Sequence, residues 1–356
     1  MNIMSTNVTF EIVRPLNNEG KNSTVYLAHD YQLNTDLVVK KVPINEIVKS
    51  EDDFRPDFIF NESRMLFNNN HPNVMKIQYG SFDENNIYFS MPYCKKGSLN
   101  ALIDTRFLTI HEVIKYSLDF LSGLHYIHTN KLAHFDIKPT NIVIGDNNKA
   151  ILTDFGLAKY LDIYGLEKLE KVYTLHYPPE GILYDKVSNL SDVYQAGVTL
   201  YRLCNGNKHF KNQAKQYSSE AELYTNIVKG NFPNRDFYLP HVPKKLRTII
   251  NRAMNVNLNK RYSTVLDMMN DISSIEENID WIYNNSNDDD IESWSTLNKN
   301  KTHLIKIILK PINNKYIISG KKIRISDNKS TNIPDYAMKG IGSISEAYKI
   351  IGNLVK

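Results

Sequence analysis

The chain has 356 residues, 42% hydrophobic and 23% charged, the make-up of an ordinary globular protein with room for a large two-part body and a small extra module. Its apolar runs fall far short of the roughly 20 residues that a membrane-spanning helix needs, and residues 1–9 lack the basic start and apolar core of a secretory signal. Two cysteines, Cys94 and Cys204, are too few for a disulfide framework or a zinc cluster, so a reducing, cytoplasmic setting is expected. The net charge of +4 is uneven: residues 299–356 hold twelve Lys or Arg against three acids, a balance of +9, which leaves −5 for the rest.

Apolar and polar side chains alternate over residues 10–41 around a polar turn at 17–22. Val25-Tyr26-Leu27-Ala28 and Leu37-Val38-Val39 therefore predict neighbouring strands. Residues 58–67 predict a helix closed by the turn His71-Pro72-Asn73, with further strands at 77–79 and 87–92. Residues 10–92 thus predict a small α+β lobe. Helical patterns follow: Val113, Leu118, Leu121, Leu124 and Ile127 form one apolar stripe. A hairpin is expected at 142–152 around Gly145-Asp146-Asn147-Asn148, and helices at 192–203, 246–254 and 262–275. The polar, acidic run at 284–292 predicts a linker, placed at 276–300. Residues 301–356 then predict a small basic module, with strands at 304–309, 316–318 and 322–325 and a final helix at 343–354 capped by Ser343 and Glu346.

The chemistry concentrates in His134-Phe135-Asp136-Ile137-Lys138-Pro139-Thr140-Asn141, followed after the hairpin by Asp154-Phe155-Gly156. Two acids and an amide thus stand on two loops joined by a hairpin. Magnesium-dependent phosphoryl transfer needs such a set: one carboxylate to take the nucleophile's proton, and a second carboxylate with an amide oxygen to hold the metal against phosphates.

On these motifs, in their order and spacing, the chain resembles the eukaryotic-type Ser/Thr protein kinases over residues 10–275. The resemblance implies an α+β, two-lobed kinase fold with a β-rich N-lobe at about 10–92 and a larger helical C-lobe at about 95–275; the small C-terminal α/β appendage falls outside it. It implies ATP and Mg²⁺ as cofactors and Ser/Thr hydroxyls of protein substrates as acceptors. By family position, Asp136 would be the base, Lys138 would steady the γ-phosphate, and Asn141 and Asp154 would hold Mg²⁺. Lys40 would neutralise the α- and β-phosphates and pair with Glu62. The phosphate-covering loop corresponds to Asn18, Gly20, Ser23 and Val25, and the adenine-binding hinge to Met91, Pro92 and Cys94. Glu180 and Arg261 match a structural ion pair, and Asp192 and His134 match scaffold positions.

Three departures stand out. Only the middle glycine of the phosphate loop, Gly20, is kept, with Asn18 and Ser23 in place of the others. Thr174-Leu175-His176-Tyr177, ahead of Pro178-Pro179-Glu180, is one residue shorter than the family's substrate-positioning stretch. Phe135 replaces the Arg that usually pairs with an activation-segment phosphate, so activity without that phosphate is expected. The rival readings are a pseudokinase or scaffold and a small-molecule kinase; Lys138 and the Pro-Pro-Glu segment favour protein substrates over the latter. The basic module could meet an anionic partner or dock on the chain's own acidic body, and its thin aromatic content gives nucleic acid little support.

Overall fold

The computed structural model describes residues 8–16, 23–44, 71–155, 157–161, 164–168, 173–277, 279–286 and 291–355. By internal contacts the chain forms two units, residues 1–97 with 143–153, and residues 98–142 with 154–356.

The first unit is built on a five-stranded sheet: β1 (Glu11–Leu16), β2 (Thr24–Asp30), β3 (Thr35–Pro43), β4 (Tyr79–Phe82) and β5 (Asn86–Pro92), in the order β1-β2-β3-β5-β4. All four pairings are antiparallel. The alternation read in the sequence is the pleat of these strands. Ala28, Leu37 and Val39 are buried on one face, with Phe10, Tyr79 and Tyr88 against them. Asn73 joins the predicted turn to a later segment. Its amide Nδ2 donates to the Ala150 carbonyl (2.8 Å), and its own carbonyl accepts from the Leu152 amide (2.9 Å). The predicted helix at 58–67, and Glu62 with it, lies outside the described residues.

The second unit is helical over its first two thirds. Its helices are α1 (Leu99–Thr105), α2 (Ile110–Thr129), α3 (Pro179–Tyr184), α4 (Asn189–Ala214), α5 (Glu220–Lys229), α6 (Lys244–Ala253) and α7 (Val265–Ser273). Thr109 and Glu112 close a reciprocal capping box at the start of α2, which buries Val113, Phe120, Leu121, Leu124 and Ile127. Leu118 is only half-buried, so Phe120 takes its place in the stripe. Helix α4 is longer than its sequence pattern predicts and bends at Gly206, where φ is 77° and an added Cβ would lie 2.7 Å from the Phe107 ring. Short strands β6 (Leu132–Ala133) and β9 (Lys159–Tyr160) pair beside the loop at 134–141, and the expected hairpin of β7 (Ile142–Ile144) with β8 (Ala150–Leu152) belongs, from residue 143 on, to the first unit.

The C-terminal region departs from expectation. Where a linker is predicted, the structure has β10 (Ile282–Ser286) and β11 (Ile291–Leu297), which open a second five-stranded antiparallel sheet. It continues through β12 (His303–Ile312), β13 (Lys315–Arg324) and β14 (Ser330–Ile341), and α8 (Ile344–Leu354) follows. The polar run misleads because Asn284 and Asn285 face Ser293 and Glu292 across a hairpin, where a backbone ladder satisfies polar strands; its acidic tip, 287–290, lies outside the described residues. The two short strands expected at 316–318 and 322–325 are one strand, β13, and β14, with Pro334 and Gly340 inside it, has no counterpart in the sequence reading.

This module shares its core with the helical region. The Tyr283 ring packs 4.5 Å from Phe107 and 5.9 Å from His241, and Trp294 lies 5.1 Å from Tyr283. Tyr348 on α8 touches both Trp294 and Phe237. Among the described residues, no helix is long and apolar enough to cross a membrane.

Candidate active site

In the first unit, register decides which side chains share a face. Lys40 on β3 stands opposite Val25 on β2 and Phe89 on β5, and Val38, two residues earlier, stands opposite Met91. Directly opposed residues share a face, as do residues two apart on one strand, so Val25, Val38, Lys40 and Met91 lie on one side of the sheet. Three positions assigned to the nucleotide from sequence are thereby brought together. Ser23 immediately precedes β2, Pro92 ends β5 and is exposed, and Cys94 follows it, with burial pushing its thiol pKa up. Asn18 and Gly20 lie outside the described residues, as does Glu62.

In the second unit the catalytic loop hangs from α4. The Asp192 carboxylate accepts the backbone N–H groups of His134 (2.8 Å) and Phe135 (2.7 Å), and it also meets His128 Nε2 at 2.7 Å. Gln195, one helical turn on, accepts from the Ile137 amide (3.0 Å) and donates to the Phe135 carbonyl (2.8 Å). Thr199 donates to the Ile137 carbonyl (3.3 Å). These bonds hold Phe135 at φ 62°, a conformation that a bulky residue rarely adopts unaided. Asp192 thus plays the scaffold part expected of it. Gln195, Thr199 and His128 were not singled out from sequence, although polar residues recurring every three or four positions inside an apolar helix are a legible signal.

Held in this way, the loop gathers its polar groups around Asp136. Lys138 Nζ lies 2.9 Å from Asp136 Oδ2, and the Asn141 amide donates to the same oxygen at 2.8 Å and to the Asp136 carbonyl at 2.9 Å. Oδ1 is buried and has no partner among the described residues. The Asp136 N–H donates to His134 Nδ1 (3.2 Å), so that nitrogen carries the lone pair. The His134 ring packs 4.7 Å from Phe155, which fixes the segment bearing Asp154 beside the loop. Asp154 is half-buried with φ 62°, a left-handed conformation that Asp tolerates better than most residues.

Asn141 spends its NH₂ on Asp136, and its amide oxygen, which accepts a long 3.4 Å bond from the Thr140 hydroxyl, keeps a lone pair for a cation. Together with Asp154 this offers hard oxygen donors from only two side chains. Such a sparse set suits Mg²⁺, which keeps waters and binds substrate phosphates rather than sitting in an all-protein cage. The donors present therefore fit Mg²⁺ carried with a nucleotide.

Phe135 occupies the place of the family's Arg and is 1% exposed. It forms an apolar cluster with Ala133 and Val187, against which Leu157, Leu161 and Tyr177 pack. Near the other end of the activation segment, Glu180 takes Arg261 in a two-pronged pair, both contacts 2.9 Å, and Ser191 adds a 2.6 Å bond to the same carboxylate.

His176 was not assigned a role from sequence. It is fully buried between the Ile137 carbonyl (2.9 Å from Nδ1) and Arg202 Nη1 (3.0 Å from Nε2). A carbonyl only accepts and a guanidinium only donates, so the ring is neutral with its proton on Nδ1. Burial, then the charges of Arg202 and Lys138, hold its pKa well below the usual 6.5. In the unfolded chain the same histidine takes up a proton near 6.5, so its contribution is complete above that pH and erodes as the pH falls. Denaturant unfolding is expected to give a lower stability at pH 5 than at pH 7, with a smaller difference in His176→Asn. The short stretch ahead of the Pro-Pro-Glu segment is thus tied to the catalytic loop through His176. Thr174 instead donates to Glu220 on α5 (2.8 Å), and the Tyr173 ring lies 5.4 Å from Lys138 Nζ.

A family model described as "Protein kinase domain" matches residues 18–274. Among curated relatives, 3-phosphoinositide-dependent protein kinase B of Dictyostelium discoideum is 30% identical over 228 residues, 62% of this chain and 24% of the relative. Serine/threonine-protein kinase PrkC of Bacillus subtilis is 27% identical over 269 residues, 74% of this chain and 40% of the relative. The Aurora kinase of Schizosaccharomyces pombe is 28% identical over 257 residues, 71% of this chain and 68% of the relative. The matched part of the chain thus spans well under half of the first two relatives. The matched residues take in β2 to β5 of the first unit, α1 to α7 of the second and the loop built around Asp136, and the chain belongs to the protein kinase domain family.

Proposed function

We propose that the chain is a protein Ser/Thr kinase that transfers the γ-phosphate of ATP to hydroxyls of protein substrates with Mg²⁺. The observation that carries this reading is the state of the Asp136 carboxylate. Lys138 and Asn141 hold one oxygen, and the other has no partner among the described residues, which leaves its lone pairs for a substrate hydroxyl. Mg²⁺, when bound through Asn141 and Asp154, would neutralise charge on the phosphates. The chain's own contribution is positioning: Asp136 orients the hydroxyl and receives its proton, Lys138 lies beside it to meet the transferred phosphoryl group, and Lys40 offers a cation to the nucleotide from a rigid strand.

The same reading includes activity without activation-segment phosphorylation. A cationic anchor at position 135 would leave the segment loose until a phosphate arrived. Phe135 packs with Leu157, Leu161 and Tyr177 instead, so burial of apolar surface supports the arrangement at no electrostatic cost. The test is a phosphatase-treated sample given labelled ATP, Mg²⁺ and a generic protein substrate. It is expected to transfer label at the rate of the untreated sample. A treated sample that is inactive until rephosphorylated would contradict the proposal.

A further inference from the structure

The C-terminal sheet has two unlike faces. One is the core face, where Trp294, Ile307 and Ile318 are buried and Tyr348 of α8 packs on Trp294. The other carries residues of opposite register. On it Lys306 stands directly across from Lys321, Lys310 across from Ile317, and Ile312 across from Lys315. Two lysines directly opposed across a ladder repel each other and weaken the sheet. An anion lying over the two ammonium groups would relieve that repulsion.

The character of this face narrows the partner. Lysine alternates with aliphatic residues, and large apolar side chains stand out near its edges: Ile282 is 45% exposed, Leu297 47%, Ile312 45% and Ile325 49%. The residues paired across this face of β10 to β13 include no Asp or Glu, so a second copy of the same face would be repelled. They include no aromatic ring and no arginine either, which removes the stacking platform and the planar fork that nucleic-acid-binding sheets use. The partner must offer negative charge and apolar depth interleaved in one plane. By strand spacing the face extends roughly 20 Å by 30 Å, far wider than the roughly 10 Å of a single docked helix. A lysine stem lies along apolar surface while its ammonium reaches for polar groups, an arrangement suited to the boundary between lipid headgroups and acyl chains.

We propose that this outer face of the C-terminal sheet is a docking surface for an anionic lipid bilayer, with the lysines at headgroup level and the flanking isoleucines and leucine in the acyl boundary. The proposal is independent of the phosphotransfer reading. The full chain is to be co-sedimented with phosphatidylcholine vesicles with and without phosphatidylserine. Partition is expected only with phosphatidylserine, and it should weaken as salt rises. Lys306→Glu is the decisive variant. It places opposite charges across the ladder, so the thermal midpoint should hold or rise while vesicle partition falls at least about tenfold. Ile312→Ser with Ile325→Ser should weaken partition at every salt concentration. No phosphatidylserine-dependent partition, or partition that both variants leave unchanged, would overturn the proposal. So would binding to poly(U) RNA that Lys306→Glu abolishes, without vesicle partition, since that result assigns the face to nucleic acid.

Discussion

Asp136→Ala is expected to lower kcat by about 10²- to 10⁴-fold, the range that removal of a general base produces. The fold should survive. The truncation removes the Oδ2 contacts with Lys138 and Asn141, but the Asn141 amide keeps its bond to the carbonyl of residue 136 and the loop backbone is held from α4 by Asp192 and Gln195. Steady-state phosphotransfer and a thermal melt on the same preparation separate the two effects: a collapsed rate with a single cooperative melt, its midpoint only modestly lowered by the loss of the Lys138 and Asn141 contacts, is the expected pair. An unchanged rate would remove Asp136 from the chemistry.

Arg261→Ala should act in the opposite sense, on stability first. Its guanidinium is buried, paired at two points with Glu180, and bonded to the carbonyls of Asn255 (2.8 Å) and Leu190 (2.7 Å). Truncation strands the Glu180 carboxylate, 6% exposed, with Ser191 as its remaining side-chain partner among the described residues. Removing one member of such a pair typically costs about 3–5 kcal/mol. Chemical denaturation should show a loss of that order. The double variant Arg261→Met with Glu180→Leu should recover much of it, because no charge is then left buried.

The legibility of the chain followed the range of the interactions involved. Short motifs with fixed chemistry, such as Asp136-Ile137-Lys138 and Asp154-Phe155-Gly156, were readable because each residue's role depends on neighbours a few positions away. Strands β2, β3 and β5 were readable from their alternation. What escaped needed partners distant in sequence. His176 takes its meaning from Ile137 and Arg202, and Gln195 from the loop about 60 positions earlier. Arg202 is buried and donates to Asn100, Asn207 and His176, residues 26 to 102 positions away or on the far side of a helix bend. No local pattern announces such a set.

The linker expected at 276–300 shows the same limit from another side. Composition reads Asn284 and Asn285 as solvated chain, whereas their neighbour Tyr283 is 1% exposed against Phe107 and Trp294. One buried aromatic residue, paired across a hairpin, outweighs a polar stretch. The appendage is accordingly joined to the helical unit by an aromatic core and not tethered to it.

Whether the Asp136 centre transfers phosphate is tested most directly by incubating the wild-type chain with γ-labelled ATP, Mg²⁺ and a generic protein substrate, followed by phosphoamino-acid analysis. The account predicts label on serine or threonine, absent in Asp136→Ala. Nucleotide binding with no label transferred would contradict it and favour a scaffold that has kept the kinase fold.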